Sequence, residues 1–229
     1  MENKIHSFGE SYFEQGIGTV FKDGYHEQPF LDYWKGAIEY LIQRCKPKRV
    51  LEIGCAKGFL IQELQKRGIE AYGVDISEYA LSQANPGIKP FLKRCQVPEE
   101  RIPYPDGFFD LVISLETVEH LHHPEMAIIE ISRLLKPKGF VFITTPSPGT
   151  EAATADVTHI SVRHWQDWKK CFQQNRIRLE RIFPWVWSPE VGRLGRITEP
   201  MRTIIRRIYY LIRETFFQKS HLYLLGQKE

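Results

Sequence analysis

Three small residues at alternate positions, Gly54, Ala56 and Gly58, follow the short apolar run Val50-Leu51-Glu52-Ile53. A run of this length cut by a glycine reads as a buried parallel strand ending in a tight turn. After it, Phe59, Leu60 and Leu64 fall at helical spacing, and Gly68 closes the segment. A second strand, Ala71 to Ile76, carries Asp75 at its carboxyl end, 21 positions beyond Gly54. That is near the ~20 at which an acid reaches a ribose in a strand–turn–helix nucleotide site. The competing reading of Asp75 is a helix cap.

The spacing of the small residues narrows the ligand. A dinucleotide site needs Gly-x-Gly-x-x-Gly so that backbone can press on a pyrophosphate. Here Phe59 stands where the third glycine belongs, and no Gly-Lys-Ser/Thr of a P-loop is present. The turn therefore suits a nucleoside without a diphosphate, which disfavours a nicotinamide dehydrogenase. Ala56 permits close approach at the middle position but is not expected to take a positive φ. Glu52, inside the apolar strand, requires a partner, because an unpaired buried charge is costly.

A second set of reactive side chains lies further on. Glu116, Glu119 and His120 follow the apolar strand Leu111 to Ser114, and Asp156 and His159 stand three apart in a later loop. A histidine, with an unperturbed pKa of ~6.5, suits removal of a proton from a hydroxyl. His159 is the first candidate base, with Asp156 orienting its ring; a structural histidine is the alternative. His120 is the second candidate. Of Glu116 and Glu119, one is expected at a cofactor and the other in solvent. His120, His122 and His123 have no adjacent pair of acids, so no metal is expected. Tyr12, Tyr25 and Trp165 are candidates to line an acceptor pocket, although aromatic residues more commonly sit in a core.

These motifs resemble those of class I S-adenosylmethionine-dependent methyltransferases. Glu52, Gly54, Ala56 and Gly58 fill the family's acidic, glycine-rich first motif, with Ala in place of the middle Gly. Ile102-Pro-Tyr-Pro-Asp-Gly-Phe-Phe-Asp is similar to its Leu-Pro-Phe-x-Asp-x-x-Phe-Asp stretch. Glu119-His120-Leu121 matches Glu-His-Leu, and Lys136-Pro-Lys-Gly139 is similar to the end of Leu-Lys-Pro-Gly-Gly. Asp156-Val-Thr-His159 resembles the Asp-Pro-Thr/Ser-His of a branch acting on sugars and natural products, with Val157 in place of Pro. The resemblance implies a Rossmann-like, doubly wound α/β sheet, mostly parallel with an antiparallel last strand. It implies S-adenosyl-L-methionine as cofactor, held by Glu52, Gly54, Cys55, Ala56, Gly58, Asp75, Ile76, Val97, Ser114 and Glu116. It implies methyl transfer, with O-methylation of a small molecule, sugar or lipid-linked glycan as the first reading. Transfer to nitrogen or a carboxylate would need no base. A non-catalytic cofactor-binding regulatory module is the reading from another class.

The elements that position these groups follow in order. Residues 1–28 are polar and aromatic and form an N-terminal arm, either packed on the domain or acting as a lid. An amphipathic helix spans Pro29 to Cys45, a short helix follows Ser77, and a weak third strand lies within Ile88 to Val97. A helix at Met126 to Leu135 is capped by Lys136-Pro-Lys-Gly139; a fifth strand covers Phe140 to Thr144. Helix Trp165 to Gln173 and strand Arg178 to Phe183 complete a domain at 29–183. Residues 184–229 read as a helical extension.

With 42% apolar and 26% charged residues, the chain has a globular composition. No apolar run approaches the ~20 residues of a membrane span, and no basic-then-apolar leader stands at the N-terminus. Cys45, Cys55, Cys95 and Cys171 form no Cys-x-x-Cys, so a reducing cytoplasm is the expected setting. From Val186 onward there are eight basic and four acidic residues within a net charge of +3. The body is thus nearly neutral, which argues against a nucleic-acid partner. Across 193–217 an apolar face opposes a basic one, a pattern that suits a membrane surface, packing on the domain or a dimer.

Overall fold

The computed structural model describes residues 8–16, 23–182 and 220–229. Seven strands form one sheet: β1 (Arg49–Ile53), β2 (Glu70–Asp75), β3 (Leu92–Arg94), β4 (Phe109–Leu115), β5 (Leu135–Pro146), β6 (Ile177–Ile182) and β7 (His221–Lys228). Their order is β3-β2-β1-β4-β5-β7-β6. Strands β1 to β5 pair in parallel, and β7 runs antiparallel to both β5 and β6. The direction of winding reverses between β1 and β4. In open α/β sheets, ligands bind in the crevice beyond the carboxyl ends of strands at such a switch point.

Helices cover both faces. α2 (Glu27–Cys45) and α3 (Phe59–Lys66) pack on one face, where Trp34, Leu41, Leu60 and Leu64 meet Val50, Phe142 and Leu225. Leu60, Ile61 and Leu64 are each no more than 2% exposed, and each such burial contributes about 1.5–3 kcal/mol. α5 (Pro124–Leu134) and α7 (Trp165–Gln174) pack on the other, where Ile128, Ile131, Trp168 and Phe172 meet Val112, Val141 and Leu224. The short α1 (Glu10–Gln15), α4 (Glu78–Ser82) and α6 (Glu151–Thr154) lie at the loops. No helix among the described residues is long and apolar enough to cross a membrane.

Three features differ from the expectations. The third strand is only Leu92–Arg94, because Lys89–Phe91 forms a 3₁₀ turn around Pro90, which lacks a ladder donor. β5 starts at Leu135, so Lys136 to Gly139 belong to a strand rather than to a cap: Leu135 is fully buried and pairs with Phe109. The antiparallel strand is not Arg178–Phe183 but His221–Lys228, which inserts between β5 and β6. The sheet therefore takes its seventh strand from the stretch read as a helical extension. The amphipathic 193–217 and Phe183 lie outside the described residues.

Candidate active site

The turn after β1 is built by backbone geometry. Gly54, Ala56 and Gly58 have φ of 79°, 47° and 75°. Ala56 does take the left-handed conformation, contrary to expectation, and it is held there by its amide. That N–H donates to Asp75 Oδ2 at 2.8 Å, while Ser77 N donates to Asp75 Oδ1 at 2.8 Å. Asp75 thus ties the turn after β1 to the turn after β2. It is not the helix cap; that role falls to Ser77, whose Oγ accepts from Ala80 N at 3.0 Å. Burial raises the Asp75 pKa, and the amides of Ser77, Ala56 and Ile76 pull it back. A carboxylate offers about four acceptor sites, so Asp75 keeps capacity beyond these bonds.

Aromatic residues of the N-terminal arm cover this turn. Phe13 packs with Ala56 and Ala80, flanked by Phe8, Tyr12, Tyr25 and Tyr79. Tyr25 stacks on Phe59 with ring centroids 5.2 Å apart. Polar bonds fasten the arm: Ser77 Oγ donates to the Phe8 carbonyl at 2.6 Å, and Lys57 and Tyr79 both donate to Glu14 Oε1, at 2.8 and 2.9 Å. Beneath it, Glu52 is 2% exposed and its Oε2 has no partner. Burial first, then the charge of Asp75, push its pKa well above the usual carboxylate range. Ser114 is buried with an unpaired Oγ, Cys55 and Val97 are buried, and Ile76 is half-buried.

The 3₁₀ turn Val118–His120 follows β4 and meets the glycine turn directly. A Cβ at Gly54 would lie 2.2 Å from Thr117 Oγ1. This contact brings His120 to the same crevice. Glu116 Oε2 lies 3.1 Å from His221 Nε2, a partner that only the pairing of 221–228 into the sheet supplies. Neither glutamate is free in solvent, because Glu119 is fully buried. Both Glu119 oxygens lack a partner with hydrogen-bond geometry, and the Thr145 hydroxyl beside them is unpaired too. Burial, Glu116 and Asp156 raise the Glu119 pKa, a rise that the nearby Thr145 hydroxyl tempers.

The loop 156–161 is fixed to this turn by Ile160 N and Ser161 N, which both donate to the Glu119 carbonyl at 2.9 Å. His159 and His120 come together with ring centroids 4.9 Å apart. Asp156, however, does not orient the His159 ring. Its Oδ1 accepts from Thr158 N at 2.7 Å and Thr158 Oγ1 at 2.6 Å, and its Oδ2 from the Tyr12 hydroxyl at 3.3 Å. Thr158 Oγ1 in turn lies 2.9 Å from His120 Nδ1. Among the described residues, the carboxyl nearest His159 is Glu119, with Oε1 3.9 Å from Nε2, while His159 Nδ1 is buried without a partner. Burial, then His159, lower the His120 pKa to about 4.

His122 and His123 are exposed and apart from the site. Donor atoms of Glu119, His120 and His159 lie within 4.8 Å of one another, a metal-compatible trio that the spacing of the three clustered histidines did not suggest. Trp165 packs against the core cluster around Trp168, whereas Tyr12 and Tyr25 pack against Phe13 and Ala56 over the glycine turn. Thr158 stands in the Asp156-Val-Thr-His159 motif, but its contact with His120 depends on the fold bringing two distant loops together.

A seven-stranded sheet of this order, with a glycine turn at its switch point, defines a Rossmann-like α/β domain. Residues 25–189 match the family described as "Methyltransferase domain", and the chain belongs to that family. It is similar to the "Ubiquinone biosynthesis O-methyltransferase" of Chromobacterium violaceum, 33% identical over 110 residues that span 46% of this chain and 47% of the relative. The protein of the same name from Dechloromonas aromatica is 38% identical over 105 residues, 43% of this chain and 44% of the relative. The chain thus spans less than half the length of these relatives. Among solved structures, a "SAM dependent methyltransferase" from Archaeoglobus fulgidus aligns with a TM-score of 0.64 at 18% identity, covering 94% of this chain and 97% of that one. At that identity the likeness concerns the fold.

Proposed function

We propose that this chain transfers a methyl group from S-adenosylmethionine to a hydroxyl of a small-molecule acceptor, with a histidine taking the hydroxyl proton. One observation carries the reading: the glycine turn after β1 and the histidine turn after β4 touch at the switch point, through Gly54 and Thr117. Residues that suit a nucleoside and residues able to move a proton then share one crevice.

The donor set fits the cofactor. Asp75 keeps acceptor sites for ribose hydroxyls, and the unpaired, buried Glu52 Oε2 suits an ammonium group. When bound, S-adenosylmethionine supplies a methyl group on a positively charged sulfur. The chain's part is alignment and exclusion of water, which the arm residues Phe8, Tyr12 and Tyr25 serve. As the oxygen–methyl bond forms and the sulfur–methyl bond breaks, the hydroxyl proton passes to an imidazole nitrogen of the His120–His159 pair. The names of the relatives support small-molecule O-methylation in general; sugar and lipid-linked glycan hydroxyls belong to the same chemical class.

Calorimetry tests the cofactor. S-adenosylmethionine and its demethylated product should both bind, and Asp75→Asn should weaken both. Tight NADH binding with no response to either nucleoside overturns the reading. Mass spectrometry of candidate phenols, sugars and lipid-linked glycans, read as the gain of one methylene, identifies the acceptor.

A further inference from the structure

We propose that Thr158, held by Asp156 and Tyr12, fixes His120 as its Nδ1-protonated tautomer and so leaves Nε2 as the proton-accepting nitrogen. The use of that nitrogen rests on the methyl-transfer reading; the tautomer itself stands on hydrogen-bond geometry. A threonine hydroxyl has one proton. Thr158 Oγ1 lies 2.6 Å from Asp156 Oδ1, and that carboxylate also receives Thr158 N at 2.7 Å and the Tyr12 hydroxyl at 3.3 Å. Surrounded by donors, Asp156 acts as an acceptor, so the Thr158 proton points to it. Oγ1 is then left to accept from His120 Nδ1 at 2.9 Å. The Thr158 carbonyl, which can only accept, lies 3.3 Å from the same nitrogen. Both contacts require a proton on Nδ1. A neutral imidazole carries one proton, so Nε2 keeps its lone pair.

Burial, then the neighbouring His159, disfavour the His120 imidazolium, while the charges of Asp156 and Glu116 oppose them. On transfer, Nε2 takes the acceptor's hydroxyl proton while the oxygen–methyl bond forms and the sulfur–methyl bond breaks. The Nδ1 proton stays in place, and Asp156 stabilises the new charge through Thr158. Thr158 and Asp156 are positioning residues for His120. Tyr12 is a third, and because it stands on α1 it makes the N-terminal arm part of the base's support. Among the described residues, His159 has no comparable chain: its Nδ1 is unpartnered and its nearest carboxyl is 3.9 Å away.

The test is nitrogen-15 spectroscopy of the histidine rings in the full chain at neutral pH, with His120 assigned by loss of its signals in His120→Asn. The expected wild-type pattern is a protonated Nδ1 and a bare Nε2. Thr158→Val should move it toward the average of two tautomers, and Thr158→Ser should retain the wild-type pattern. Glu119, His120 and His159 are close enough to share a cation, so the spectra are repeated after chelator treatment. A pattern that chelation alters, a wild-type His120 protonated at Nε2, or a Thr158→Val spectrum identical to wild type each overturns the proposal. Should Thr158→Val not fold, the wild-type and Thr158→Ser spectra still decide. Failure of the methyl-transfer reading appears separately, as absent S-adenosylmethionine binding in calorimetry.

Discussion

The close approach of the two turns can be tested by filling it. Gly54→Ala adds a Cβ that would lie 2.2 Å from Thr117 Oγ1, 2.6 Å from its Cγ2 and 2.9 Å from its Cβ. It also places a Cβ at φ of +79°, a left-handed conformation that costs roughly 1–2 kcal/mol for a non-glycine residue. Overpacking adds about 1–3 kcal/mol, for a total of about 2–5 kcal/mol. The two parts separate in a double-mutant cycle with Thr117→Ala, which removes the atoms at the two shortest distances. The φ term persists in the double variant and much of the clash does not. Urea unfolding of the four proteins should give a favourable coupling on the order of 1–2 kcal/mol. S-adenosylmethionine affinity, measured by calorimetry, should fall in Gly54→Ala and recover in part in the double variant. Additivity within about 0.5 kcal/mol, the range for independent sites, would refute the contact and with it the shared crevice.

Three further outcomes are expected. On an identified hydroxyl acceptor, His120→Asn should lower turnover by ~10²–10⁴ with cofactor affinity little changed, and His159→Asn should lower it less; the reverse ranking, from steady-state kinetics, would move the base to His159. His120, whose folded pKa is depressed to about 4, binds fewer protons folded than unfolded between that value and ~6.5, so its contribution to stability is lost as pH falls through this window. Glu119, raised by burial, tilts the other way, so the measurement is the difference in unfolding free energy between wild type and His120→Asn: it should shrink from pH 7 to pH 4, and a pH-independent difference would refute it. The basic amphipathic residues 193–217 are expected to carry the chain upward with anionic liposomes in flotation, less so as salt rises; no flotation at low salt refutes membrane contact.

Local order made much of this legible. The turn from Gly54 to Gly58, α3 and Asp75 lie within one strand–turn–helix–strand unit, where spacing alone sets geometry. What spacing could not supply was pairing across long separations. The short run His221 to Lys228 alternates too little to stand out, and it becomes a strand because β5 and β6 leave a slot for it. Gly226 shows how tight that slot is: a Cβ there would lie 2.6 Å from Ile177 Cγ2. The Asp156 carboxylate illustrates the same limit. Three positions separate it from His159, yet Thr158 and the distant Tyr12 claim its oxygens first. Ala56 takes a positive φ because Asp75, on another strand, holds its amide.

The insertion of β7 also constrains how the chain assembles. Among the described residues, β6 pairs only with β7, and β7 follows the other six strands in the chain. Until residues 221–228 leave the ribosome, β6 has no partner and β5 presents an unpaired edge bearing Val141, Phe142 and Ile143. An apolar edge of this kind is a template for pairing with another chain. Before β7 pairs, the border of β5 is therefore sticky. β7, which follows the other described strands, is also the one that closes it.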